Sequence, residues 1–203
     1  GASTPKVKVF IRSNSWNTKL SEKEIRERLE NYILEVKVSD GTLICSAKPK
    51  KENFSWNNSN RLSIGFEIDS PEKVDTDLST SGGSITLSKL NGNLGFKTSG
   101  GSMNLDALRG NIKGSTSGGS IKMNQLSGDI SLSTSGGSIT ADNSDGQIRL
   151  TTSGGSLNFS NLKGNIKGTT SGGSIRANDI NGDLNISTSG GSIKFANVEG
   201  NIN

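Results

Sequence analysis

The sequence predicts an all-β fold: a right-handed parallel β-helix, or β-solenoid, of seven regular coils with about 18 residues per coil, preceded by an irregular N-terminal cap containing one short helix. Three observations carry that expectation. Thr-Ser-Gly-Gly-Ser occurs seven times, at Thr80, Thr98, Thr116, Thr134, Thr152, Thr170 and Thr188, each 18 residues after the last. Aliphatic residues recur at fixed places in each repeat, two residues apart, which is strand spacing. Glycine, at 27 of 203 residues, falls mainly at fixed points of the repeat, where a chain would bend.

The texture divides the chain into a cap, residues 1–78, and repeats, residues 79–203. In the cap, Val7 and Val9 alternate with lysines and predict a strand through Ile11. Ser21-Glu22-Lys23-Glu24 has the form of a capping box, and Ile25, Leu29 and Tyr32 or Ile33 follow at helical spacing, so a short helix is expected at about 22–32. A hairpin follows at about 33–47 with Asp40-Gly41 at its turn, then a lead-in strand at about 62–68 through Leu62, Ile64, Phe66 and Ile68. Alternation in the hairpin puts Leu43, Cys45 and Ala47 on one face, which predicts a buried, inert thiol for the single cysteine.

Within each repeat, counting the Thr as position 1, position 6 is aliphatic or Met (Ile85, Met103, Ile121, Ile139, Leu157, Ile175, Ile193). Position 8 includes Leu87, Met123, Ala141, Phe159, Ala177 and Phe195; position 15 is always Leu or Ile. Position 13 is always glycine, suiting a second reversal, and position 11 (Leu90, Leu108, Leu126, Ser144, Leu162, Ile180, Val198) is expected to turn inward at a corner. Each repeat thus makes one lap with about two strands, paired in parallel and in register with the next. Such connections run right-handed.

Composition narrows the chemistry. The chain has no histidine, so the commonest general base and nitrogen metal ligand are both missing. The net charge of +4 is dispersed, without a basic tract, so nucleic acid is not expected as a partner. No segment is apolar enough for a membrane span, and no cofactor or metal is expected. Gly1-Ala2-Ser3-Thr4-Pro5 reads as a trimmed start from which an export signal has been removed.

The repeat Thr-Ser-Gly-Gly-Ser-Ile, followed by Leu, Gly-Asn/Asp and a second aliphatic, resembles the bacterial adhesin-like domains built from β-strand repeats, a group of unknown function. The lead-in Leu62-Ser63-Ile64-Gly65-Phe66-Glu67-Ile68-Asp69-Ser70-Pro71 is similar to it as well. The likeness covers residues 62–203 and implies a three-sided, right-handed solenoid on an exported or cell-surface bacterial protein, in the periplasm or outside the cell. It implies no functional residues.

The candidate surface-binding residues are Trp16, Phe54 and Trp56, aromatics set in polar, Asn-rich sequence that suits sugar stacking or protein contact. The competing reading is that they plug the solenoid's N-terminal end. The only acids worth pairing for polysaccharide cleavage are Asp106 and Asp142, in one column but two coils, or roughly 9.5 Å, apart, the outer limit for an inverting pair. The fourth coil, with Ala141 and Ser144 in place of larger residues, is expected to be thin and underpacked. Ladder serines are expected to cap turns, and the open strand edge near Asn203 to be covered by another chain or by a further segment, with self-association through it. Together these features favour a non-enzymatic cell-envelope protein whose partner is a glycan or protein at the cell surface. The alternatives are a ligand-free spacer and, less well supported, a polysaccharide-cleaving β-helix.

Overall fold

A computed structural model describes residues 5–13, 20–50 and 62–203, excluding the side chains of residues 12 and 13. Two compact units divide between Pro71 and Glu72.

In the first unit, β1 (Lys6–Ser13) pairs antiparallel with β4 (Leu62–Asp69), and β2 (Tyr32–Ser39) with β3 (Thr42–Pro49). The hairpin turn is Asp40-Gly41, both with positive φ (50° and 74°), which is why Gly follows Asp there. The helix α1 (Glu22–Leu29) is shorter than expected. Ser21 closes the capping box with Glu24, and the Ser21 hydroxyl and N–H hold the Glu24 carboxyl below its usual range. Tyr32 and Ile33 leave the helical pattern because they begin β2, where Tyr32 pairs with Pro49. The Tyr32 hydroxyl instead accepts from the Leu62 N–H at 3.1 Å. Cys45 is half-buried, and the partial burial raises its thiol pKa.

The second unit is a parallel β-solenoid of 12 strands. It opens with β5 (Thr76–Thr80), then alternates short and long strands: β6 (Ile85–Ser88) and β7 (Asn91–Thr98), β8 (Met103–Asp106) and β9 (Arg109–Thr116), β10 (Ile121–Asn124) and β11 (Ser127–Thr134). In β12 (Ile139–Thr152) and β13 (Leu157–Thr170) the two segments run together through the corner, and β14 (Ile175–Asn181), β15 (Leu184–Thr188) and β16 (Ile193–Glu199) complete the ladder. Every register pair joins residues 18 apart, such as Ile121 with Ile139 and Ile130 with Ile148. Asp75, Thr76 and Leu78 already occupy places in a preceding lap, Thr76 pairing with Leu94 and Leu78 with Phe96. Sequence periodicity hides that lap because Val74 stands where later coils have glycine and Thr76 where they have an aliphatic.

Positions 6, 8, 11 and 15 form one continuous core. Position 11 does turn inward: Leu108, Leu126 and Leu162 are fully buried. The residue before it, at position 10, takes the left-handed conformation in all seven coils, from Lys89 (φ 56°) to Asn197 (φ 53°). Asn or Asp fills that place in the last four coils (Asn143, Asn161, Asp179, Asn197), the non-glycine residues that tolerate it best. At position 13, Gly128 (φ 125°) combines positive φ with close approach to Gly110, so both reasons for glycine apply.

Side-chain hydroxyls reinforce the pentapeptide corner beside main-chain hydrogen bonds between coils, such as the Gly136 N–H to the Ser117 carbonyl at 2.9 Å. Thr134 is buried; its hydroxyl donates to the Gly119 carbonyl of the preceding coil (2.8 Å) and accepts from the Gly137 N–H (3.2 Å). Thr98, Thr116, Thr152 and Thr170 repeat both bonds, so a Thr–Gly hydrogen-bond chain runs along the solenoid. From the third pentapeptide onward the last Ser adds another, Ser138 N–H donating to Ser120 Oγ and Ser156 N–H to Ser138 Oγ. Thr134→Val keeps the shape but strands a buried carbonyl and a half-buried N–H. It is expected to lower unfolding free energy by about 2 kcal/mol, read by urea denaturation.

Candidate functional site

The three aromatics expected to bind, Trp16, Phe54 and Trp56, lie outside the described residues. What the structure describes is the solenoid's outward faces, where strand alternation sends each residue between two core positions to solvent.

On the face carried by the short strands, positions 7 and 9 line a shallow depression of about 430 Å³, with Asn104, Asp106, Lys122, Asn124 and Asp142 on its walls. Asn124 stands between the two acids in the column and donates to Asp106 Oδ1 at 2.8 Å. Asn143 donates in turn to Asn124 Oδ1 (2.9 Å), and Asn161 to Asn143 Oδ1 (2.8 Å). Four side chains on four successive coils therefore form one directed row, Asn161 to Asn143 to Asn124 to Asp106. Asp106 and Asn124 are paired in the strand ladder, while Asn143 and Asn161 stand at the left-handed corner of position 10, which the ladder skips. The sequence offered Asp106 and Asp142 only as a pair of acids and hid the row; the run of Asn at neighbouring positions 9 and 10 was the available signal.

The long strands carry a second, smaller depression of about 220 Å³, lined by Asp129, Gln147, Arg149, Asn165, Lys167 and Asp183. Arg149 and Lys167 face each other directly across adjacent coils, and both are exposed. Among the described residues, no ion pair joins either to an acid within 4.0 Å.

The fourth coil is not the thin place the sequence suggested. Ala141 is fully buried and pairs with Phe159 of the next coil, which has the small Ala177 on its other side. One ring is thus flanked by two alanines, and volume is exchanged between coils. Ser144 is also fully used: its hydroxyl donates to the Asp142 carbonyl (2.7 Å) and accepts from the Leu126 N–H (3.0 Å). A polar residue sits in a leucine column there because it replaces lost packing with two hydrogen bonds.

Among the described residues no group of His, Cys, Asp and Glu is placed to hold a metal, and no helix is long and apolar enough to cross a membrane. Compared with protein-family models, curated proteins and solved structures, the chain matches none of them. The likeness to adhesin-like domains accordingly rests on the residues of the repeat and of the lead-in alone.

Proposed function

We propose that this chain is a non-enzymatic module of the bacterial cell envelope, outside the cytoplasm, that holds a glycan or protein on the solenoid's polar faces. The observation that carries the reading is the amide row from Asn161 to Asp106. Its donors and acceptors are fixed at the coil spacing of about 4.8 Å before any ligand arrives, so little conformational freedom is lost on binding. The repeat's likeness to adhesin-like domains supports the same reading and its location. The absence of histidine and the engagement of Asp106 by Asn124 favour binding over hydrolysis.

A glycan array probed with the intact chain tests this. Binding is expected, and Asn124→Ala with Asn161→Ala is expected to weaken it about tenfold through loss of the row's central and outer amides. Binding that survives this double change but disappears with Trp56→Ala would move the site to the first unit. No binding to any glycan or envelope protein would favour a spacer with no ligand of its own.

A further inference from the structure

The strongest unassigned surface is the middle of the long-strand face, on the fourth and fifth coils. Along β12, Gln147, Arg149 and Thr151 alternate with buried Ile148 and Leu150, so all three point outward. Along β13 the matching residues are Asn165, Lys167 and Thr169, each directly opposite its counterpart at the coil spacing of about 4.8 Å. Two coils therefore present a polar rectangle, amide beside amide, cation beside cation and hydroxyl beside hydroxyl. The depression of about 220 Å³ lies at its amide and cation columns.

The cations work against stability where they stand. Like charges directly opposed in a ladder repel, and among the described residues no acid pairs with either. The carboxylates lining the same depression stand at the ends of the amide column, Asp129 one coil earlier and Asp183 one coil later. Asp183 is already engaged, accepting from the Asn201 N–H (3.3 Å) and from its side-chain amide (2.9 Å). Asn165 donates to Gln147 Oε1 at 3.3 Å, which holds the two amides together and leaves the Gln147 donors and the Asn165 acceptor for a ligand. The cation column is also short: Ser131 precedes Arg149 and Asn185 follows Lys167. Two cations with uncharged neighbours and acids at the corners suit one compact anion. A nucleic acid, with a charge on every phosphate, would meet Asp129 and Asp183.

We infer that this rectangle binds the carboxylate of an acidic sugar within a glycan. Arg149 offers a planar fork that matches a carboxylate, and Lys167 places a second positive donor beside it. The amides lie about 6.6 Å to one side along the strands and the threonines about as far to the other. Amide and hydroxyl groups both donate and accept, as the hydroxyls of a sugar ring require. None of the six residues is apolar, so an acidic peptide would find its charge matched and its apolar side chains unaccommodated. The inference rests on the reading that a glycan is the partner, and places it on a different face from the amide row.

Isothermal titration calorimetry of the intact chain tests this with short galacturonate, glucuronate and mannuronate oligosaccharides, each against its methyl ester, which keeps the hydroxyls and removes the charge. At least one free acid is expected to bind about tenfold or more tighter than its ester. Arg149→Gln with Lys167→Gln is expected to erase that preference, with circular dichroism confirming that each variant is folded. Arg176→Gln with Lys194→Gln removes the same charge from an opposed cation pair on the short-strand face and is expected to leave the preference unchanged. Asn124→Ala with Asn161→Ala is expected to leave it unchanged too, so that failure of this site and failure of the amide row are read separately. The proposal would be overturned if no free acid binds, if none is preferred to its ester, or if sulfated oligosaccharides bind more tightly than uronates. A loss as large in either control variant as in the Arg149 and Lys167 variant would overturn it equally.

Discussion

Gly137→Ala is expected to destabilise the chain by about 4 kcal/mol, while Gly136→Ala, one residue earlier in the same pentapeptide, costs less than about 1 kcal/mol. The difference is steric and local. A Cβ on Gly137 would collide with the Gly119 carbonyl and lie 2.6 Å from the Ser120 nitrogen, both backbone atoms of the preceding coil. These atoms cannot move aside without breaking the Thr–Gly hydrogen-bond chain, since Thr134 binds that same carbonyl. A Cβ on Gly136 would meet nothing closer than 3.5 Å. Urea denaturation of the two variants checks this, with equal m-values showing that both begin from the same fold. Equal stabilities for the two would contradict the steric account of the pair.

Phe159→Ala is the second large effect, expected at about 3–5 kcal/mol. Phe159 is 1% exposed, and both of its neighbours in the column are alanines, so neither can fill the space it leaves. It also reaches across its own coil to Gly168, where an added Cβ would lie 2.7 Å from the ring. Gly168→Ala alone is therefore destabilising, by about 1–3 kcal/mol. In a Phe159→Leu background the same change should cost distinctly less. A double-mutant cycle by thermal or chemical denaturation reads that coupling directly, and strict additivity would show that ring and glycine are not packed against each other.

Much of the solenoid was legible because its period is strict and its strands alternate. Positions 6, 8 and 15 could be assigned inward from spacing alone, and position 11 followed from the corner. What escaped was the role of residues whose polarity disguises their direction. Thr134 continues the inward alternation from Ile130 and Leu132, yet a threonine reads as surface until its partners Gly119 and Gly137 are seen. Position 10 escaped for a different reason: Lys89, Ala107 and Gln125 share the left-handed backbone of the later asparagines, but side-chain type does not announce it. The apparent thinness of the fourth coil was a misreading of one lap in isolation, because Ala141 is matched by Phe159 a lap away. The candidate site was less legible still. The amide row depends on side chains at positions 9 and 10 converging from either side of a corner, and no periodicity shows that convergence.

The Thr–Gly chain has a consequence for how such a protein can change length. Each coil's corner is completed by the coil before it, donor to acceptor and glycine over glycine, with no residue unique to any one layer. Removing or duplicating a whole eighteen-residue unit leaves every such match intact, whereas adding one residue puts threonine over serine and glycine over a side chain where that layer meets the one before it. Growth and shrinkage by entire layers is thus the cheap route for this chain, and the absence of any insertion between Thr80 and Thr188 is what that constraint leaves behind.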